Sequence, residues 1–328
     1  MSERRTPAPR VSVILPNRNH AHYLSKAVDA LLEQTWRDFE LLIVDDASSD
    51  RSREIVNNYA AQDTRVRLLA LDAPQGIHRA VQAGITQAKG EFVYIAAADD
   101  FVESTFLERC VRELERFPAA GLCFSDPSEY YRDPDRVVLF PLYLSDKTVY
   151  FDGPALSSLF ARNYFHISPN TGIYRLASFR AAGGYIHEFD WLSDWFLTTV
   201  VALRHGACYL SEQLTYVAIR KDSYSAQAGT DRTRRRMALH NVLEKLSTSE
   251  YCDVFPRLRQ AAILPEYHFI TLLWLLQSRH GRRLLSPRLL GRMIALASWS
   301  LVRGRMPARW RRRLRRSVSR KTKGQSAT

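Results

Sequence analysis

Residues 11–50 read VSVILPNRNHAHYLSKAVDALLEQTWRDFELLIVDDASSD, and the order of patterns inside this stretch decides the fold. An apolar run opening at Val11 ends in the polar loop of residues 16–19. Leu24, Ala27, Val28, Leu31 and Leu32 then recur at helical spacing. A second, near-continuous apolar run, residues 39–44, ends on the adjacent carboxylates Asp45 and Asp46. Buried strands joined by an amphipathic helix form a βα unit and pair in parallel. In open α/β sheets the ligand sits beyond the carboxyl ends of the strands, which puts residues 16–19 and 45–49 on one rim of a cleft. Further along, residues 92–96 form another apolar run and lead to a second acidic pair, Asp99 and Asp100. Two carboxylate pairs converging on one rim suit a divalent cation, Mn²⁺ or Mg²⁺, and a phosphorylated ligand.

Outward from that stretch the first 125 residues keep alternating strand and helix patterns, the mark of an α/β domain with a mainly parallel sheet. Ser48, Ser49 and Asp50 are capping residues that open a second helix, with Ile55, Val56 and Tyr59 facing inward. Residues 66–70, 92–96 and 121–125 read as strands, and 77–88 and 104–117 as helices. Residues 126–144, rich in Pro, Tyr and Asp, read as a long irregular segment. Helices are expected at 154–163 and 194–205, and strands at 171–174 and 207–210. Beyond Asp222 the chain turns helical and basic, with apolar helices expected at 261–277 and 289–302. No internal repeat is visible.

The chain of 328 residues exceeds one ordinary compact core, so a large domain with an appendage is expected. A hydrophobic fraction of 46% and an aromatic fraction of 11% exclude the disordered class. Cys110, Cys123, Cys208 and Cys252 are widely spaced without a CxxC pair, which argues against a zinc site or disulfide framework and for a reducing cytoplasm. The N-terminus is basic but lacks the apolar stretch of a secretory signal. The uncharged run at residues 293–302 is half the length a membrane-spanning helix needs, which is about twenty residues. Net charge is +13, and sixteen Arg and Lys with no Asp or Glu lie between Arg279 and Thr328. The body is therefore nearly neutral and the tail strongly basic, suited to phosphates on a membrane surface or a nucleic acid.

Four segments taken in order, VSVILPNRN, FELLIVDDASSD, GIHRAVQAGI with GEFVYIAAADD, and SDW, carry a family resemblance. From Val11 to about Tyr216 the chain resembles an inverting family 2 glycosyltransferase of the GT-A fold, the group that includes bacterial polysaccharide and O-antigen sugar transferases. That resemblance implies a Rossmann-like, mainly parallel sheet flanked by helices, with a helical, basic C-terminal extension. The expected organisation is a flexible N-terminus at 1–10, the GT-A domain at 11–220, a helical region at 221–305 and a basic, disordered tail at 306–328.

The resemblance also implies roles. Asp45 and Asp46 match carboxylates that contact the base and ribose of a donor nucleotide, and Pro16, Asn17 and Arg18 match the loop that closes around the base. Gln75 and Gly76 open a helix that approaches the nucleotide. Val81 and Gln82 stand where many members carry a basic residue and an Asn, which leaves Arg79 and His78 as substitutes at the diphosphate. Asp99 and Asp100 match the metal-binding acidic motif. Its first Asp falls at Ala97, so the adjacent pair remains, with Asp100 as the direct ligand and Asp99 as a ribose or outer contact. Asp194 matches the catalytic base, with Asp190 and Glu188 as alternatives. Pro169, Asn170 and Thr171 precede the strand ending at Arg175, a segment that matches the acceptor side, where Tyr185, Trp191 and Trp195 could offer a flat apolar surface to a sugar.

Each assignment has a plainer reading: DDASSD also caps a helix, Asp194 is also an ordinary first-turn residue, and Arg18 and Arg79 are also solvated charges. The implied partners are a nucleotide-sugar donor, a glycan or lipid-linked acceptor, and anionic membrane met by the basic C-terminus, with the protein cytoplasmic or peripheral on the inner membrane face. Leu, Ile, Trp and Met on one side with Arg on the other suit an interfacial helix, or equally a helical bundle packed on the catalytic domain. The pI near 9.8 makes a nucleic-acid-binding protein the rival reading. It is disfavoured because the basic residues are confined to the tail. A nucleotidyltransferase would carry a glycine-rich, basic phosphate loop near the first strand, which NRNHAHY is not.

Overall fold

A computed structural model describes residues 8–131, 135–163, 165–220, 231–265, 267 and 269–305. The expected tail at 306–328 and most of the expected flexible N-terminus lie outside the described residues. The chain divides into two compact units, Met1–Ala261 and Ala262–Thr328. The helices at 232–246 and 254–261, grouped from sequence with the C-terminal region, pack inside the first unit.

That unit opens with β1 (Val11–Asn17), α1 (Ala21–Leu32), β2 (Phe39–Asp45), α2 (Ser52–Gln62), β3 (Val66–Ala70), α3 (Ile77–Gln87) and β4 (Phe92–Ile95). Every residue of β1, β2 and β4 is buried, as an apolar run covered on both faces requires. β5 (Phe101–Val102), α4 (Phe106–Arg116), β6 (Leu122–Tyr131), β7 (Arg136–Leu139), β8 (Val149–Phe151) and α5 (Gly153–Arg162) follow. Then come β9 (Gly172–Arg175), α6 (Leu176–Ala181), α7 (Ser193–His205), β10 (Ala207–Ala218), α8 (Arg232–Leu246) and α9 (Val254–Ala261). In the second unit, α10 (Phe269–Gln277) packs with α11 (Arg279–Leu284) and α12 (Pro287–Arg305).

The sheet order is β3-β2-β1-β4-β9-β6-β10-β5, with β7 on β6 and β8 on β10. β3, β2, β1 and β4 are parallel, whereas β9 runs antiparallel between β4 and β6, so the sheet is mixed rather than mainly parallel. The chain leaves β1 toward β2 and β3, then returns to β4 on the other side. This reversal opens a crevice at the carboxyl ends of β1 and β4, the switch point where α/β sheets bind ligands. Because β9 is antiparallel, its amino end reaches the same edge, and β6 and β10, parallel to each other, bring their carboxyl ends there too. α7 leads directly into the far end of β10, so its first turn also lies on the crevice side.

Two elements are longer than their patterns suggest. β10 continues past Leu210 because the polar residues 211–213 form bulges, with register shifts at Leu210/Gln213 and Gln213/Thr215. β6 crosses Pro127 because this residue lies opposite the same irregular stretch, where a missing N–H costs least. The segment read as irregular is thus in part the β6–β7 hairpin.

A buried polar cluster joins the central strands. Ser12 Oγ donates to Glu40 Oε1 at 2.7 Å and accepts from the Gly90 N–H at 2.9 Å, and Glu40 also meets Arg67 at 3.2 Å. A Cβ at Gly90 would stand 2.6 Å from the Ser12 nitrogen and 2.8 Å from the Val11 carbonyl carbon, backbone atoms that cannot yield. Gly90→Ala is expected to cost about 1–3 kcal/mol, the usual penalty for overpacking. A lower urea midpoint at unchanged slope checks it, and an unchanged midpoint contradicts it.

Candidate functional site

The crevice rim is made of two loops that hold each other. Asn17, the last residue of β1, donates through Nδ2 to Asp45 Oδ2 at 3.1 Å and to Ser48 Oγ at 3.3 Å. Ser49 N donates to Asn19 Oδ1 at 2.8 Å, and Asn19 N to Ser48 Oγ at 3.0 Å. Asn19 and Ala47 both have positive φ, 56° and 55°, a conformation that costs energy at Ala47 and persists because these cross-loop bonds impose it. Since the Asn17 amide nitrogen must face the Asp45 carboxylate, its Oδ1 points elsewhere. That oxygen is buried and has no hydrogen-bond partner among the described residues.

Asp45 is fully buried and its carboxylate is used within the loop, by Asn17, by the Ser48 N–H at 3.0 Å and by Arg53 Nε at 2.6 Å. Burial acts to raise its pKa, but the bonds from Ser48, Arg53 and Asn17 outweigh it and hold the carboxyl below the usual range. Asp46 reaches across to the start of α3, where its two oxygens accept the N–H groups of Gln75 at 2.6 Å and Gly76 at 2.9 Å. A carboxylate on the unpaired N–H groups of a helix start is favoured by hydrogen bonding and by the helix dipole. Gly76, at φ 86°, permits the turn. Asp45 and Asp46 therefore shape the rim from beneath. Pro16 is buried, and Arg18 and Arg79 are exposed without a hydrogen bond among the described residues.

The second acidic pair divides. Asp100 is only 8% exposed; its Oδ2 accepts from Asn170 Nδ2 at 2.5 Å and its Oδ1 from the Ala218 N–H at 2.8 Å. Burial and then the neighbouring Asp99 charge push its carboxyl up to about 7, against those two hydrogen bonds. Asp99 is the more open partner and meets Arg220 Nη1 at 3.2 Å through Oδ2. Arg220 also lies over the Tyr23 ring, and His20, close to both Asp99 and Arg220, is held neutral to lower pH mainly by burial. Among the described residues no group of three or more His, Cys, Asp or Glu could hold a metal alone. A hard cation here would need phosphate oxygens to complete its shell, and the order expected from the resemblance is reversed: Asp99 is the more accessible carboxylate, because Asp100 is buried with both oxygens accepting hydrogen bonds.

α7 begins at Ser193 and Asp194. Asp194 Oδ1 accepts from the Trp195 N–H at 2.6 Å, and burial pushes the carboxyl up to about 6 despite that bond. The turn before it is strained: Asp190 sits at φ 51° and ψ −139°, and is gripped by Arg234 of α8 through both carboxylate oxygens. His78, on the inner face of α3, packs near His187 and Tyr185 and has its pKa lowered mainly by burial. Trp195 is buried, Tyr185 and Trp191 are half-buried, Glu188 is exposed, and Trp191 Nε1 has no partner among the described residues. Pro169 and Thr171 are buried, while Arg175 lies at the far end of β9 and pairs with Glu91 at 2.5 Å, remote from the crevice edge.

Sequence reasoning missed Arg220, His20 and Arg234. A lone basic residue carries no motif, and Arg220 meets Asp99 only because β10 runs on past its bulges.

Residues 12–152 match the Glycosyl transferase family 2 profile. Glycosyltransferase GlyG of Streptococcus pneumoniae is 36% identical over 105 residues, covering 32% of this chain and 35% of that protein. The chain spans about a third of the length of this and another curated relative that it matches. Among solved structures, TarS of S. aureus in complex with UDP-GlcNAc is similar with a TM-score of 0.62 at 19% identity, covering 77% of this chain and 70% of that one. The mannosyltransferase PcManGT of Pyrobaculum calidifontis, in complex with GDP-Man and Mn²⁺, is similar with a TM-score of 0.52 at 19% identity, covering 88% of this chain and 86% of that one. These solved structures share the GT-A fold.

Asp46→Ala would leave the Gln75 and Gly76 N–H groups without their acceptor, at a cost of about 1–3 kcal/mol for each that stays buried. Amide exchange at these two residues is expected to accelerate and the melting temperature to fall. Unchanged exchange at both would contradict the bracing role.

Proposed function

This chain carries a family 2 glycosyltransferase domain over residues 12–152, and from that premise we propose that it moves a sugar from a nucleotide-sugar donor to a hydroxyl of a glycan or lipid-linked acceptor, with inversion at the anomeric carbon. The acceptor is met at the cytoplasmic face of the membrane. One observation supports the reading: the strand order reverses between β1 and β4, and Asp99, just beyond β4, and Asp194, in the first turn of α7, stand at element ends on that edge of the sheet.

The nucleotide lies against the β1 and β2 rim, which the bonds among Asn17, Asp45 and Ser48 hold in shape. Its diphosphate extends toward Asp99. A Mn²⁺ or Mg²⁺, held by Asp99 over Asp100 together with the diphosphate, would supply neutralisation of the departing charge. Arg220 is a second cation within reach of that charge. The acceptor hydroxyl attacks the anomeric carbon from the face opposite the diphosphate and passes its proton to Asp194. The bond from that carbon to the diphosphate oxygen breaks, and its electron pair leaves with the nucleoside diphosphate. A base whose pKa is near 6 is ionised at neutral pH yet basic enough to take the proton.

A thermal-shift panel of sugar nucleotides, with and without Mn²⁺, identifies the donor through the stabilisation that binding confers. With that donor, Asp194→Asn is expected to lower turnover by about 10²- to 10⁴-fold while leaving donor affinity nearly intact. The unprotonated carboxylate is the active form, so wild-type turnover falls as pH drops through about 6. Asp194→Asn lacks that limb. Near-normal turnover in this variant would reject the assignment, and no stabilisation by any sugar nucleotide would reject the donor class.

A further inference from the structure

The second unit carries a surface that the sugar-transfer chemistry does not use. α10, sequence FITLLWLLQ, is apolar nearly all round yet only partly covered. Thr271 and Leu275, one turn apart, are buried on one side. Phe269, Leu273 and Leu276 lie four and three residues apart, at 66%, 37% and 46% exposure. That spacing is a single stripe along a helix. A soluble helix normally turns such a stripe inward, so three large apolar side chains in a row on the wet side mark a contact surface.

The charges beside it identify the partner. Ser278 caps α11 by accepting the Gly281 N–H at 3.2 Å, which starts the basic run RHGRR where the stripe stops. Arg282 reaches back from that run, donating through Nη1 to the Leu276 carbonyl at 2.9 Å, so a guanidinium sits at the last residue of the stripe. Arg279, Arg282, Arg283 and Arg288 are all exposed, and no Asp or Glu follows Glu266 in the sequence. Among the described residues no helix is long and apolar enough to cross a membrane. An apolar stripe ending in cations, on a helix too short to span, suits a body lying in the headgroup plane.

We infer that α10 is a membrane-insertion helix: Phe269, Leu273 and Leu276 enter the acyl boundary of an anionic leaflet while the arginines of α11 pair with lipid phosphates. This deepens the membrane-facing part of the proposed function and rests on it for the choice of leaflet. The apolar share of attachment comes from residues before Arg279, and the basic run supplies only the electrostatic share. Contact through charge alone is screened within about 10 Å at 0.1 M salt, whereas inserted side chains hold against salt.

The test uses the full chain with vesicles of phosphatidylcholine, alone or mixed with phosphatidylglycerol, and needs no sugar donor, so its outcome is independent of the transferase reading. Wild type is expected to sediment with the anionic vesicles and to retain a bound fraction at high salt. Combined Phe269→Ser, Leu273→Ser and Leu276→Ser is expected to lose that salt-resistant fraction, with partitioning down roughly tenfold or more. Leu273→Cys carrying an environment-sensitive dye, in a Cys252→Ser background, should shift its emission to the blue on anionic vesicles. Equal salt-resistant binding by the triple variant overturns the inference, as does an unshifted dye. A change of oligomeric state in the triple variant with vesicle binding intact also overturns it, and assigns the stripe to a protein contact.

Discussion

The candidate site depends on the burial of one carboxylate. Asp100 has lost nearly all contact with water, and an isolated charge there would be costly unless hydrogen bonds replaced that water. Its two partners come from opposite directions along the chain: Asn170 just before β9 and the backbone of Ala218 at the end of β10. Those bonds exist only when β4, β9 and β10 bring their ends to one edge. The upward shift to about 7 records how incompletely they repay the desolvation. Holding Asp100 inward leaves Asp99 as the carboxylate that faces the crevice, and ending β10 at Ala218 brings Arg220 to Asp99.

The same division of labour runs round the rim. Asp45 and Asp46 are spent inside the protein, one closing its own loop and the other fastening the start of α3. Neither works alone. Asn17 links β1 to the Asp45 loop and keeps one oxygen unspent, and His78 lies on the inner face of the helix that Asp46 fastens. The strained Asp190 and its clamp by Arg234 fix the turn that leads into Asp194. Ala47 and Asp190 both keep a positive φ, as expected where surrounding bonds impose a conformation that local preference opposes.

Much of this was legible from residues alone. The period of the apolar runs located β1, α1, β2 and β4, and the rule that ligands sit at carboxyl strand ends located the crevice. Orientation was not legible. A pair such as DD reads the same whether its oxygens face a ligand or a helix start, so the inward use of Asp45 and Asp46 appears only once Ser48, Gln75 and Gly76 are positioned around them. Strand length was obscured where bulges break the period of two, which hid both the far end of β10 and Arg220. The antiparallel insertion of β9 depends on contacts between segments some eighty residues apart, and no local pattern announces it.

In the proposed reaction an acceptor hydroxyl attacks opposite the departing diphosphate and Asp194 takes its proton. The anomeric configuration of the first-formed product tests this most directly, read from the proton coupling at the anomeric carbon by NMR during turnover. A direct displacement yields the configuration opposite to the donor's. A product that retains the donor's configuration would contradict the account, because retention requires either two displacements or attack from the side of the leaving group.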